Sequence, residues 1–183
     1  MNRREAMKRT ALMFGSALSV STFAVFQQGC TRSKNAIAGV FSDEDTKIMA
    51  EIGDIIIPET PDSPGAKSVG IGAFMVKMLE DCYSQEDREK VSTALNYFEG
   101  EKDFSSLSAD KQVAAVSDLD SQVYGKSNEL DEGLMRGYKI MKELTLFGYF
   151  SSEAGATQAL RYELVPGRYD GCVDLKPGDK AWA

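Results

Sequence analysis

The spacing of apolar side chains along the chain predicts helices rather than strands. Beyond residue 41, apolar positions recur every three or four residues, which is the repeat of one face of an α-helix. No segment shows a convincing alternation of apolar and polar side chains, the pattern of a half-buried strand. Four predicted helices cover residues 43–57, 69–82, 84–100 and about 129–147. A further one, the fourth in chain order, begins at Ser108 and includes Leu119.

Polar and special residues mark where these helices begin and end. Ser42 and Asp45 predict a capping box at the start of the first helix, and Pro58 ends that helix because proline cannot continue it. Gly100 is predicted to end the third helix, and Ser108 is predicted to cap the fourth. The apolar residues expected to face inward on the fourth and fifth helices are Val113, Val116, Leu119, Leu130, Leu134, Tyr138, Met141, Leu144 and Phe147.

The chain after the fifth helix has an irregular composition. Ser151 or Ser152 is expected to cap a short helix that reaches Arg161, and residues 162–172 are rich in turn-forming residues. We therefore expect an all-α fold, a small irregular helical bundle of about five to six helices with an extended, turn-rich C-terminal segment.

The first thirty residues have the pattern of an export signal. Arg3 and Arg4, followed by Lys8, fit the twin-arginine consensus, which directs folded proteins across a membrane. A mildly apolar run follows from Thr10 to Phe26. A retained transmembrane anchor is the alternative, but the run has 17 residues, several of them polar, and roughly 20 apolar residues are needed to span a bilayer. We therefore predict a signal peptide over residues 1–29.

The site at which this signal is cut has two candidates. Gly29 and Cys30 resemble a lipoprotein cleavage site, at which Cys30 becomes a lipidated N-terminus, although Gln27 and Gln28 match that pattern poorly. Residues 36–38, Ala-Ile-Ala, offer an ordinary small-residue site instead. We favour the lipoprotein site, which predicts a periplasmic protein anchored to the membrane by lipidation at Cys30. A polar tether over residues 30–40 then leads to a single helical domain over residues 41–183.

The charge of the chain excludes one class of partner. The whole sequence carries a net charge of −7, and removal of residues 1–29 leaves 17 basic and 27 acidic residues, a net charge of −10. Such a surface repels a phosphate backbone, and no basic stripe with interleaved aromatic residues opposes the total. We therefore expect no nucleic-acid binding.

Cysteine and histidine usage narrows the possible chemistry. If Cys30 is lipidated, Cys82 and Cys172 remain, and they could bond to each other in an oxidising compartment. Alternatively, Cys82 is a buried thiol and Cys172 is available to a partner's cysteine. The sequence has no histidine, so Ser-His and Cys-His catalytic couples, His-ligated zinc and the usual haem-attachment motif are all excluded. A carboxylate-pair enzyme remains a formal possibility.

Aromatic residues in the C-terminal third suggest a docking surface. Tyr149, Tyr162 and Tyr169 lie in or near backbone without helical periodicity, and Arg168 is beside them. Tyrosine and arginine are enriched in buried protein interfaces. The alternative is that these side chains simply close the helical bundle.

At these residues the chain resembles the gluconate 2-dehydrogenase subunit 3 family. The first matching block covers residues 54–61 and 64–66, and the second covers residues 146–153 and continues to Cys172. Two features depart from the family pattern: Leu164 replaces an expected proline, and a lipoprotein site at Cys30 is not general. The residues predicted at a partner interface from these blocks are Pro58, Thr60, Pro61, Gly148, Tyr149, Phe150, Tyr162, Arg168, Tyr169 and Gly171.

The resemblance implies an accessory subunit without a catalytic, cofactor-binding or metal site of its own. Its partner would be a large FAD-binding flavoprotein of the glucose-methanol-choline oxidoreductase type that oxidises a sugar or polyol. A third subunit, a c-type cytochrome with haem c, often takes the electrons. The small subunit would support maturation of the flavoprotein and carry it across the membrane as a folded complex. The alternative hypothesis is a free-standing acidic envelope lipoprotein that acts as a binding module.

Overall fold

The computed structural model describes residues 40–125, 130–165, 167–168, 171–174 and 176–183. Within these residues, β structure is limited to two isolated bridges, so the prediction of an all-α bundle is confirmed. Short 3-10 turns cover Ala66–Val69 and Phe104–Ser106, and π turns cover Tyr97–Glu101 and Gly155–Ala159. The α-helices of the described residues are α1 (Asp43–Ile56), α2 (Ile71–Cys82), α3 (Gln85–Asn96), α4 (Ala109–Tyr124) and α5 (Glu132–Phe150).

The start of α1 confirms the predicted capping box. The Ser42 hydroxyl accepts a hydrogen bond from the Asp45 backbone N–H at 3.1 Å, and the Asp45 carboxylate accepts one from the Ser42 backbone N–H at 2.9 Å. These two bonds satisfy donors that would otherwise lack partners at the first turn. The helix ends at Ile56, one residue before the predicted limit and two before Pro58.

Other predicted helix limits are also wrong. α2 begins at Ile71 rather than at residue 69, and α5 ends at Phe150 rather than at residue 147. Gly100 does not end the third helical segment, because it lies within the π turn Tyr97–Glu101, and the chain leaves helical geometry at Asp103, which has a φ of 49°. The last helix begins at Glu132 rather than at residue 129, because the Asp131 carboxylate caps it by accepting from the Leu134 N–H at 2.9 Å. Residue 129 itself lies outside the described residues.

The core forms where α5 packs against α3 and, on its other side, against α1 and α2. At Gly137, α5 comes so close to α3 that an added Cβ would lie 2.0 Å from the Lys90 carbonyl oxygen. Only glycine permits this approach, because any side chain would push the two helices apart. The largest fully buried side chains of the described residues are Tyr138, Tyr149, Phe98, Phe104, Met49, Ile52, Ile71, Met75, Leu79, Leu95, Leu119 and Ile140.

Two of the side chains predicted to face the core lie at the surface instead. Val113 of α4 is 48% exposed and Phe147 of α5 is 58% exposed. The face of α5 that packs on its neighbours includes Leu134, Tyr138, Met141 and Leu144, and Phe147 falls outside that stripe. Helical spacing alone did not separate it from the buried set.

The segment after α5 packs on the bundle as far as Ala159, and its described residues from Arg161 onward are exposed. Ser152 caps the turn that follows by accepting from the Gly155 N–H at 3.1 Å, which agrees with one of the two predicted caps. The described residues beyond Arg161 contain no helix, as expected for an extended, turn-rich segment. In the described part of the chain, no helix combines the length and apolar character needed to cross a membrane.

Candidate partner interface

The two sequence blocks meet in space through one hydrogen bond. The Tyr149 hydroxyl of α5 donates to the carbonyl oxygen of Pro64, in the loop after α1, at 2.6 Å. The Tyr149 side chain is 1% exposed, so this bond lies at the edge of the core. A buried tyrosine hydroxyl generally requires such a partner. The contact therefore fixes the loop of the first block against the helix of the second.

Close approaches at two glycines hold the same junction together. A Cβ at Gly148 would lie 2.5 Å from Phe74 Cδ1 and 2.6 Å from Ile71 Cδ1 of α2. A Cβ at Gly65 would lie 2.5 Å from an Asp54 carboxylate oxygen. Neither position has room for a larger residue without movement of its neighbours. The end of α5, the start of α2 and the loop between α1 and α2 therefore pack as one unit.

The loop between α1 and α2 projects a tight turn into solvent. Thr60 and Ser63 exchange backbone hydrogen bonds at 2.9 and 3.3 Å, and their hydroxyls lie 3.1 Å apart. Pro61 occupies the position of this turn that favours a fixed φ. The Lys67 N–H donates to the Asp54 carboxylate at 3.0 Å and anchors the far side of the loop. Pro58, Thr60 and Pro61 are all exposed on this rigid turn.

An apolar surface lies on α5 beside the junction. Leu146, Phe147 and Phe150 are 41%, 58% and 38% exposed. The Phe147 ring also contacts the half-buried Phe74 ring of α2, with centroids 6.0 Å apart. We call these four residues the aromatic face. Large apolar side chains grouped in this way on a surface are typical of protein contacts.

The structure separates the predicted interface residues into two groups. Gly148 and Tyr149 are buried in the junction, and as placed they offer no surface to a partner, because the core and α2 already surround them. Their interpretation as direct contacts is corrected to one of support for the loop. The other described residues of the predicted set are exposed: Pro58, Thr60, Pro61, Phe150, Tyr162, Arg168 and Gly171.

The structure describes two of the three cysteines predicted to be modified, and it does not describe the export signal. Cys82 and Cys172 are exposed, free thiols, so the structure contains neither a bond between them nor a buried Cys82. A bond from either cysteine to a partner stays a prediction. Arg3, Arg4, Cys30 and Tyr169 lie outside the described residues.

Three acidic side chains, Asp43, Glu44 and Glu51, help to line a cleft of about 480 Å³ between α1 and the start of α4. Asp43 and Glu44 there belong to the first turn of α1, where the helix dipole favours negative charge. Glu51 forms an ion pair with Lys67. These acids therefore have local structural roles. Across the described residues, no group of three or more cysteine, aspartate or glutamate side chains is arranged to hold a metal ion.

A second polar cluster joins α4 to α5. Asp120 accepts hydrogen bonds from the Tyr138 hydroxyl at 2.9 Å and from the Lys142 ammonium group. Lys142 Nζ also lies 4.5 Å from the centroid of the Tyr124 ring. Burial, and secondarily the hydrogen bond to Asp120, raise the pKa of Tyr138 well above its usual value. Tyr138 therefore keeps its proton, and the cluster ties two helices together.

Sequence reasoning placed Phe150 at the interface but assigned Phe147 to the core and did not single out Leu146 or Phe74, although a signal was present. Residues 146–150 read Leu-Phe-Gly-Tyr-Phe, and their apolar side chains surround the helix axis rather than occupying one stripe. A surface helix buries an apolar stripe about 100° wide or somewhat more. At least one of these side chains must therefore face outward, and Phe147 is the most exposed.

Fold and surface together describe a small all-α protein in which two distant sequence blocks meet at one exposed turn and one aromatic face. Comparison with known proteins places it: the chain belongs to the gluconate 2-dehydrogenase subunit 3 family, whose model matches residues 43–167. The resemblance inferred from sequence is thereby confirmed. No curated protein and no solved structure gives a significant match to the chain.

Proposed function

We propose that this chain is the non-catalytic small subunit of a periplasmic FAD-dependent dehydrogenase that oxidises a sugar or polyol. Membership of the subunit 3 family supports association with the other subunits of a gluconate 2-dehydrogenase-like oxidoreductase complex. In this proposal the large subunit, of the glucose-methanol-choline type, holds FAD, and a c-type cytochrome can accept the electrons. The small subunit supports maturation of the flavoprotein and its export.

The observation that carries the proposal is the junction of the two sequence blocks. Tyr149 and Gly148 use buried contacts to hold an exposed proline turn beside the aromatic face. A turn fixed in this way loses little conformational freedom on binding. The proline and threonine side chains of this turn, and the phenylalanine side chains of the aromatic face beside it, can then contact a partner without further ordering. We therefore place the large subunit on Pro58, Thr60, Pro61 and the aromatic face.

The export role is tested by replacing the two arginines of the predicted twin-arginine signal. In cells that express this chain and the FAD-binding large subunit encoded beside it, the wild-type signal should deliver both proteins to the periplasm. Replacement of Arg3 and Arg4 by lysine should retain both in the cytoplasm, as measured by fractionation and immunoblotting. Export of the flavoprotein despite this replacement would refute the escort role. Replacement of Arg9 by lysine, outside the consensus residues, is the matched control and should leave export of both proteins unchanged.

The docking surface is tested by replacing one exposed ring. Phe147→Ala should weaken binding of the large subunit by at least tenfold, because a central aromatic anchor contributes about 2 kcal/mol or more to an interface. Val113→Ala on α4 removes a comparably exposed apolar side chain, 48% against 58%, and should leave the Kd within threefold. Equal Kd values for the two variants, measured by interferometry, would exclude the aromatic face as the interface.

A free monomer would favour the alternative hypothesis. If the mature chain is recovered from the envelope without any flavoprotein, an acidic lipoprotein that binds another envelope component becomes the better description. Metabolic labelling with palmitate tests lipidation of Cys30 separately. Loss of label in Cys30→Ser is the result expected for a lipid anchor.

A further inference from the structure

The last residues of the chain fold back onto the segment that follows the π turn Gly155–Ala159. The Arg161 N–H donates to the Ala181 carbonyl at 2.7 Å, and the Ala183 N–H donates to the Arg161 carbonyl at 3.1 Å. These bonds form a parallel bridge between Arg161 and Trp182. The Arg161 guanidinium lies 4.0 Å from the centroid of the Trp182 ring. We call Arg161 and residues 180–183 the clasp.

The clasp lies outside the core, and only its C-terminal part, residues 180–183, lies outside the family match. The match ends at residue 167, and Trp182 is 52% exposed. Lys180 adds a further contact by donating from its ammonium group to the Gln158 carbonyl. An exposed cation–π pair and two backbone bonds are too weak and too peripheral to decide whether the helices fold. These contacts hold Arg161 next to residues 180–183 and so bring together the two ends of the segment between them.

The closed segment presents apolar side chains to solvent. Tyr162, Leu164, Val165 and Val173 are 53%, 79%, 74% and 63% exposed. Among the described residues, Leu164 and Val165 have the largest exposed fractions of all the large hydrophobic side chains. None of these four side chains packs against the core of the helical bundle. Apolar exposure of this kind marks a contact with another protein.

We propose that the clasp is a positioning device that holds Tyr162, Leu164 and Val165, which directly follow Arg161, for docking onto the large flavoprotein subunit. The inference rests on the proposed function, because it takes the same partner. That occupant is favoured because the segment continues directly from the second sequence block and contains the exposed, predicted interface residues Tyr162, Arg168 and Gly171. Arg161 and Trp182 are positioning residues, since each acts through the loop that it closes.

The inference can be tested optically, because Trp182 is the only tryptophan in the chain. Arg161→Ala in the isolated mature chain should change the tryptophan emission, since the cation stacked on the ring is lost. The helical melting temperature, followed by circular dichroism, should stay at the wild-type value. Binding of the large subunit should weaken by about two- to fivefold, the change that loss of an exposed cation–π pair allows. Arg161→Lys keeps a cation near the ring and should bind with intermediate affinity.

The matched control is Lys176→Ala, which removes one positive charge from the same exposed segment without touching the clasp. It should leave emission, melting temperature and Kd close to wild type. Arg161→Ala with unchanged emission would show that the clasp does not form in solution and would overturn the inference. Changed emission with an unchanged Kd would overturn it as well, while leaving the proposed function intact. Failure of the wild-type chain to bind the flavoprotein would refute both.

Discussion

Removal of one hydroxyl group tests whether the two sequence blocks are joined as the structure shows. Tyr149→Phe keeps the buried ring and deletes only the donor to the Pro64 carbonyl, 2.6 Å away. A typical hydrogen bond contributes about 1 kcal/mol net, and an acceptor left unpaired in the interior costs about 1–3 kcal/mol. Pro64 is half-buried, so water can partly replace the lost donor. We therefore expect a loss of about 1 kcal/mol.

For a domain of this size, that loss lowers the melting temperature by roughly 3–4 °C. Tyr162→Phe is the matched control, because it deletes the same atom from a side chain that is 53% exposed, and surface changes usually stay within about 0.5 kcal/mol. The measurement is thermal and urea unfolding of both variants beside wild type. Equal stability of the two variants would refute the junction described above.

The same variant separates support from direct contact. Since Tyr149 is 1% exposed, its replacement should lower folding stability and change the Kd for the large subunit less than Phe147→Ala does. A direct interface anchor would behave in the opposite way, with unchanged stability and a loss of about 2 kcal/mol or more in binding.

Three further predictions concern the stability of the helical bundle. Burial and the bond to Asp120 raise the pKa of Tyr138 in the folded chain, so above pH ~10 the unfolded chain loses a proton that the folded chain keeps, and stability falls as pH rises. Tyr138→Phe should make that fall shallower in urea unfolding at a series of pH values, and parallel slopes would contradict the assignment. Gly137→Ala would place a Cβ 2.0 Å from a backbone carbonyl of α3, and should cost at least about 2 kcal/mol in the same assay. Ser42→Ala should cost about 1 kcal/mol because it removes a capping bond. Ser108→Ala should cost less, since Ser108 makes no such bond at the start of α4, and similar losses would argue against the cap.

The helices were predictable from sequence because their signals are local. Ser42 and Asp45 are three residues apart, and Pro58 stops a helix wherever it occurs. The helical segment that begins with α3 continues past Gly100, because a π turn accommodates that residue without ending the helical path. Asp103, with a φ of 49°, ends it instead. An unusual φ at a non-glycine residue has no reliable sequence signal.

The sequence predicted which residues belong to the candidate interface region, but not which of them are exposed at its surface. The blocks that carry the family resemblance contain both the exposed Pro61 and the buried Tyr149. Periodicity cannot say which aromatic side chain of α5 is buried, because that depends on a distant partner, such as the Pro64 carbonyl 85 residues before Tyr149. The pairing of Arg161 with Trp182 is equally non-local. Tertiary contacts of this kind decide which motif residues support the site and which present it.

The most direct test of the proposed function is a purification from cells that express the full chain, tagged after residue 183, together with the FAD-binding large subunit. If the chain is the small subunit of such a complex, gel filtration should give a single peak in which flavin absorbance co-elutes with this chain. Replacement of Phe147 by alanine should remove that absorbance from the peak. Elution of the wild-type chain alone, as a colourless monomer, would contradict the central claim that it is the partner-binding small subunit of a flavoprotein dehydrogenase.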